Sequence, residues 1–206
     1  MTRPFVGATR ILLQAIVAVV GAGLLAVSAM LVVFSDAGSS DALWVALRVA
    51  ALVAVTLIFT NICVGAFRPF FVRVFKGRTV QRVHVLLDLT GFVVALGHGL
   101  MAFVFGIAGY TTAAVWIGPI ALVVLVVVII TALTRRWLRR SWRWVHRLNY
   151  LFFAAVMVHG LTLGYDLRHQ VLAKAWLGLL GAVVVVGFAY RIVGGLIARR
   201  GRRAGA

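Results

Sequence analysis

The sequence predicts an all-α, polytopic membrane protein, with a single integral membrane domain over residues 1–206 that forms a six-transmembrane-helix bundle. Three observations predict this class. Hydrophobic residues make up 64% of the chain and charged residues only 12%, and glutamate is absent. No soluble domain of this size has such a balance. The apolar residues also fall into six long runs, and every second loop between these runs is basic.

The six runs are predicted to be the six helices, because most of them reach the roughly 20 residues that a spanning helix needs. In chain order they cover residues 11–33, 43–66, 84–107, 115–133, 146–163 and 171–197. Arg3 and Arg10 precede the first run as in a signal peptide. Its apolar part exceeds the about 7 to 15 residues of a signal core, so we expect a retained helix.

The distribution of basic residues between the runs predicts the orientation of the chain. Arginine and lysine cluster before the first run, in the second and fourth loops, and in the tail over residues 198–206, whereas the other loops carry few charges or none. The basic residues of these four segments are Arg3 and Arg10; Arg68, Arg73, Lys76, Arg78 and Arg82; Arg135, Arg136, Arg139, Arg140 and Arg143; and Arg199, Arg200, Arg202 and Arg203. The positive-inside rule then predicts a multi-pass cell-membrane protein with both termini in the cytoplasm.

The charge and the cysteine content exclude several other classes. The formal net charge is +17, but the basic residues lie between apolar runs and not on one soluble face, so we expect no nucleic-acid partner and expect the lipid bilayer instead. Cys63 is the single cysteine and lies within an apolar run. A disulfide, a Cys-ligated cluster and a covalent CxxCH haem attachment are therefore excluded.

Four of the five histidines lie in two of the apolar runs. His84 and His98 are 14 residues apart in the third run, and His146 and His159 are 13 apart in the fifth. At about 1.5 Å per residue, each spacing separates its two histidines by roughly 20 Å. Imidazoles inside lipid-length helices are costly, and neutral imidazole is a good axial ligand for haem iron.

The matched depths predict two metal sites between the third and fifth helices. With the orientation above, His84 and His146 form an inner pair, and His98 and His159 form an outer pair. Each pair is expected to bind one non-covalent b-type haem through both axial positions, which favours electron transfer over oxygen binding at the iron. Two haems are therefore expected, with one haem as the alternative.

Arginines near the inner pair are candidates for binding the haem propionates. They are Arg82, Arg143 and Arg147. The alternative interpretation is that they are positive-inside residues facing lipid headgroups. Asp88, one turn after His84, either orients that histidine, acts in a proton path or reaches the cytoplasmic interface. We further expect Arg48 to extend towards the outer interface.

The spacing in the fifth run raises a geometric problem. Thirteen residues fall about 140° short of four full helical turns, so His146 and His159 would not share a face of an ideal helix. Either this helix bends or contains an irregular turn, or one of the two histidines is not a ligand. No proline marks such a turn.

Over roughly residues 43–194 the chain resembles the ferric reductase-like transmembrane domain family. This family includes the membrane parts of NADPH oxidases and ferric reductases, and the haem-binding subunit of the bacterial periplasmic methionine sulfoxide reductase system. The resemblance rests on the two histidine spacings and on "SWRWVHRLNY", which follows an arginine-rich loop. It implies that His84, His98, His146 and His159 are haem ligands, and that the 13-residue spacing is workable. In the sulfoxide reductase subunits the position that matches His84 is often not histidine.

The predicted function is electron transport across the bilayer as the membrane subunit of an oxidoreductase. These 206 residues contain no GxGxxG turn and no strand-helix alternation, so we expect a separate donor at the cytoplasmic side, either a flavin reductase or a quinol. The expected acceptor is extracytoplasmic: ferric iron, oxygen or a partner reductase. The alternative is a small transporter or structural membrane protein without haem, in which the histidines relay protons or pair with polar groups.

Overall fold

A computed structural model describes residues 5–35, 41–104, 112–139 and 141–204. In these ranges the chain forms ten helices and no strand, so the all-α prediction is confirmed. Arg3 and Arg140, which entered the orientation argument, lie outside the described residues, as do residues 105–107 of the third predicted run.

Five of the described helices are long and apolar enough to cross a membrane. They are α1 (Gly7–Val33), α2 (Ala42–Ala66), α4 (Gly77–Val104), α5 (Ala113–Leu133) and α10 (Val171–Ala204), of which Val171–Ala198 is the apolar part. The shorter helices are α3 (Arg68–Val74), α6 (Arg135–Leu138), α7 (Trp142–His146), α8 (Leu148–Leu163) and α9 (Tyr165–His169). Several helices of this length and apolarity indicate a multi-pass membrane protein.

The fifth predicted run is not one continuous helix, because it is interrupted at Arg147. The Arg147 amide donates to the carbonyl of Trp144, and the Tyr150 amide donates to that of Arg147, each at 3.2 Å. Both bonds span three residues, as in a 3₁₀ turn, where side chains three residues apart eclipse each other. The Arg147 guanidinium accordingly lies 4.4 Å from the centre of the Trp144 ring. The segment therefore consists of α7 and the 16-residue α8, and the irregular turn lies between His146 and His159.

Helix α2 is the centre of the bundle. Twelve of its residues are buried, and it packs on α1, α4, α8 and α10. Its closest neighbour is α4, where Gly91 allows the backbones to approach, since a Cβ there would lie 3.2 Å from Cγ1 of Ile58. Helix α8 packs mainly on α5, and hardly any backbone contact joins α4 to α8. The helices α4 and α8, which carry His98 and His159, therefore each pack on a neighbouring helix and make few backbone contacts with one another.

A buried ion pair closes the end of the bundle where α2 begins. Arg48 is 6% exposed and donates from Nε to Oδ2 of Asp166 at 2.8 Å. A second contact joins Nη2 to Oδ1, and Ser35 and Gln170 add hydrogen bonds to the two charged groups. The expectation that Arg48 extends to the interface is therefore wrong. A buried charge is costly unless it is paired, and Asp166 of α9 supplies the partner.

Candidate functional site

The structure places His84 and His146 side by side. His84 lies in the first part of α4 and His146 ends α7, and their ring centroids are 6.0 Å apart with planes inclined at 75°. Two imidazoles that ligate one metal ion from opposite sides have a similar separation, since each metal–nitrogen bond is about 2 Å long. The ring of Trp142, one turn before His146, lies 5.5 Å from the His146 ring and limits its rotation.

His98 and His159 lie towards the ends of α4 and α8 that are far from the inner pair, and their imidazoles interact electrostatically with each other. Each imidazole is tied to the backbone of a different neighbouring helix. Nδ1 of His98 is 3.1 Å from the carbonyl oxygen of Leu47 in α2. Nδ1 of His159 is 3.1 Å from the carbonyl oxygen of Ala114 in α5.

These two hydrogen bonds determine the tautomer of the outer pair. A carbonyl oxygen only accepts, so Nδ1 of both His98 and His159 carries the proton and donates it. The lone pair is then on Nε2. Metal-ligating histidines almost always donate the other ring N–H in this way, because the bond fixes the ring and raises its basicity. In both residues of the outer pair, Nε2 is thus the nitrogen whose lone pair can ligate a metal.

A glycine allows the imidazole of His159 to lie against α5. A Cβ at Gly118 would be 2.8 Å from Cε1 of His159, a distance that no side chain could occupy without displacing the ring. At Gly65 the corresponding distance to Cε1 of His84 is 3.5 Å, an ordinary contact. Gly118 follows Ala114, which accepts the hydrogen bond from His159, by one helical turn. The same stretch of α5 therefore both holds and accommodates this imidazole.

The histidines of α4 are matched in register to α2, which runs antiparallel to it. The carbonyl of Leu47 accepts from His98, and the backbone carbonyl of Asn61 faces the imidazole of His84. Leu47 and Asn61 are 14 residues apart, as are His84 and His98. Equal spacings on paired helices bring each histidine to an equivalent position beside α2.

Three buried polar atoms at the inner pair have no hydrogen-bond partner among the described residues. They are Nδ1 of His84, Nδ1 of His146 and Oδ1 of Asn61. Buried polar atoms are usually satisfied, so such a cluster marks a site where a further group is expected. Oδ1 of Asp88, one turn after His84, accepts from Nδ2 of Asn61 at 3.1 Å.

A cavity of about 1320 Å³ lies beside the inner pair. This volume exceeds the about 300–1,000 Å³ of sites for drug-sized ligands, so a macrocycle could be accommodated. His84, His146, Asn61 and Trp142 line it, together with the exposed Arg143, Arg147 and Arg191. Arg82 is exposed and is not among the lining residues. The cavity thus combines two imidazoles with a basic rim.

The donor set favours a metal that brings most of its own ligands. Within the described ranges, no group of three or more His, Cys, Asp or Glu residues could hold a bare metal ion. Each histidine pair supplies two imidazole nitrogens, which is the number of axial ligands that a haem iron lacks. The residues present therefore fit haem better than a free cation.

Four residues of this site were not identified as site residues from the sequence: Asn61, Gly65, Gly118 and Arg191. Their roles depend on which helix packs behind each histidine, and no local pattern encodes that. Trp142, whose ring contacts that of His146, was not identified as a site residue either. The fifth histidine, His169, is exposed and donates from Nδ1 to the carbonyl of Tyr165 in its own helix.

We compared the chain with protein-family models, curated proteins and solved structures, and found no match in any of the three.

Proposed function

We propose that the protein binds b-type haem and carries electrons across the membrane, from a cytoplasmic-side donor to an extracytoplasmic acceptor. The proposed donor is a flavin reductase or a quinol, and the proposed acceptor is ferric iron, oxygen or a partner reductase. On this proposal the protein is the membrane subunit of an oxidoreductase and a member of the ferric reductase-like transmembrane family. Two haems are expected, one at each histidine pair.

The observation that carries the proposal is the tautomer of the outer pair, in which both Nδ1 atoms are protonated. His98 and His159 both donate Nδ1–H to helix carbonyls, so both Nε2 lone pairs are available to a metal. A purely structural pairing with the carbonyls would account for the two Nδ1–H bonds, but axial ligation also gives both Nε2 lone pairs a partner. This supports axial ligation over the transporter interpretation.

The near absence of backbone contact between α4 and α8 supports the same proposal. Only Val80 and Gly91 of α4 are buried, although α4 packs along the central helix of the bundle. A flat macrocycle between α4 and α8 would cover apolar side chains that the protein itself leaves uncovered. Bound there, haem would supply one-electron redox chemistry, while the protein holds the imidazoles and limits access of water.

We further propose that α7 and α8 together form a sixth membrane crossing. They span 22 residues from Trp142 to Leu163, enough for a hydrocarbon core about 30 Å thick at about 1.5 Å per residue. With six crossings, both termini and the basic loops lie in the cytoplasm. Arg143 and Arg147 then lie at the cytoplasmic rim of the cavity, where they would pair with haem propionates.

The proposal is tested by expressing the full chain with ample haem supply and purifying it in detergent. Pyridine haemochrome analysis should give close to two haems per chain, and dithionite reduction should give a b-type spectrum. A folded, helical protein that remains colourless would overturn the proposal and favour a transporter or structural membrane protein.

A further inference from the structure

Two of the unpartnered atoms at the inner pair have complementary hydrogen-bonding capacity. Nδ1 of His84 can donate a proton, and Oδ1 of Asn61 can only accept one. Both atoms are buried without a hydrogen-bond partner in the part of the chain that the structure describes, and both residues line the same cavity. The backbone of Asn61 also faces the His84 imidazole.

We propose that Asn61 is a positioning residue for His84, and that its Oδ1 accepts the Nδ1–H of His84 when His84 ligates haem. This inference rests on the proposed haem site. One hydrogen bond of this kind satisfies both atoms. It also places the lone pair of His84 on Nε2, as the Leu47 carbonyl does for His98.

Asp88 fixes the direction of the Asn61 amide. Nδ2 of Asn61 donates to Oδ1 of Asp88 at 3.1 Å, and Asn61 is only 3% exposed. An amide held through its nitrogen presents its oxygen to the opposite side. Asp88 is one helical turn after His84 on α4, so both residues lie on the side of α4 that faces Asn61.

The function of this arrangement is to tune the inner haem. A hydrogen bond to the outer nitrogen of a ligating histidine raises its basicity and stabilises the ferric state. Losing the bond should weaken the ligand and favour the ferrous state. The midpoint potential of the inner haem alone should then become more positive.

The experiment compares Asn61→Leu, Asp88→Leu and the conservative Asp88→Asn with the wild-type protein. Asn61→Leu removes the acceptor at similar volume and should weaken haem binding at the inner site by about 10- to 100-fold. It should also shift the midpoint potential of the inner haem to more positive values. Asp88→Leu should shift the same haem in the same direction, whereas Asp88→Asn retains an acceptor for Nδ2 and should remain close to wild type.

The outer haem and a second variant provide the controls. The outer haem should keep its occupancy and potential in every variant, which shows that the chain is folded. Thr60→Val changes the residue next to Asn61 and removes a hydrogen bond to the carbonyl of Thr56 within α2, and it should leave both haems unchanged.

The outcomes separate this inference from the proposed function. If the wild-type protein binds two haems and Asn61→Leu leaves the affinity and the potential of the inner haem unchanged, the backbone alone orients His84 and the positioning role is wrong. If the wild-type protein is folded and binds no haem, the proposed function itself fails.

Discussion

The imidazole of His159 lies against Gly118, so close that a Cβ at that position would be 2.8 Å from Cε1. The same ring donates from Nδ1 to the carbonyl of Ala114, one turn earlier in α5. The ring cannot move away from α5 without losing this bond, and no side chain fits between them. The position of this ligand therefore depends on a glycine in another helix.

Gly118→Ala should selectively weaken the outer haem site. Inserting a methyl group into a well-packed contact costs about 1–3 kcal/mol, so the haem affinity of the outer site should fall about tenfold or more. The inner haem should be retained. Haem titration of the purified variant, followed by reduced-minus-oxidised spectra, measures both effects.

The matched control for this variant is Gly178→Ala in α10, where an added Cβ would meet nothing within 4 Å. It should bind both haems like the wild-type protein. Equal haem affinity in Gly118→Ala and Gly178→Ala would show that the ring of His159 is free to move, and would contradict the packing argument.

Replacing each histidine by alanine should remove one haem and leave the other. His98→Ala and His159→Ala each delete one axial bond of the outer site, and His84→Ala and His146→Ala each delete one of the inner site. Pyridine haemochrome analysis should therefore give about one haem per chain in each variant. Electron transfer across reconstituted vesicles should fail in all four, since each lacks one of the two centres.

His84→Ala is the most informative of these variants. If it keeps the full haem content and activity, the inner site is absent or uses another ligand. The protein would then be closer to the methionine sulfoxide reductase subunits, in which the position that matches His84 is often not histidine.

Breaking the ion pair between Arg48 and Asp166 should strongly destabilise the protein. Removing one partner leaves a buried, uncompensated charge, which typically costs about 3–5 kcal/mol. Asp166→Leu should lower the free energy of unfolding by this amount, and Arg48→Leu should have a similar effect. The double variant should lose less than the sum, because it leaves no charge behind. Denaturant titration in detergent, followed by circular dichroism, measures all three.

Arg168→Leu is the control for the ion pair, because Arg168 is an exposed arginine of the same short helix. Its effect on the free energy of unfolding should stay within about 0.5 kcal/mol. An Asp166→Leu protein as stable as this control would mean that Arg48 reaches water and is not held in a buried pair.

Reporter fusions test the proposed orientation. A reporter that is active only outside the cytoplasm should work when fused after Asp36 or Tyr110 and should fail after Arg78 or Arg140, because arginine-rich loops remain inside. The reverse pattern would exchange the donor and acceptor sides of the proposed electron path.

The sequence was sufficient to predict those features that depend on composition and on spacing along the chain. Five of the six apolar runs form helices of membrane-spanning length in the described residues, and the similar spacings of 14 and 13 residues pointed to His84 and His146 as neighbours. The 13-residue spacing left two alternatives, an irregular turn in the fifth run or a histidine that is not a ligand, and it did not locate the turn at Arg147, where no proline stands.

The remaining features depend on contacts between helices that are distant in sequence. Arg48 and Asp166 are 118 residues apart, so neither residue alone indicated the ion pair. Asn61 and Gly118 acquire their roles only through the helices packed beside them. Polar and small residues within apolar helices therefore became interpretable only once the packing was known.

The matched register of α2 and α4 sets the distance between the two histidine pairs. Leu47 and Asn61 in α2, like His84 and His98 in α4, are 14 residues apart. The two histidine pairs are therefore separated by about 21 Å along the helices, and this distance cannot change gradually, because each histidine must continue to face its carbonyl. One residue inserted into either helix would rotate everything beyond it by about 100° and separate a histidine from its carbonyl. Seven residues inserted into both helices would nearly restore the facing, about 20° short of two full turns. An insertion of about 11 residues would overshoot three full turns by about 20°, so the distance between the two histidine pairs can change only by paired insertions whose length comes close to whole turns.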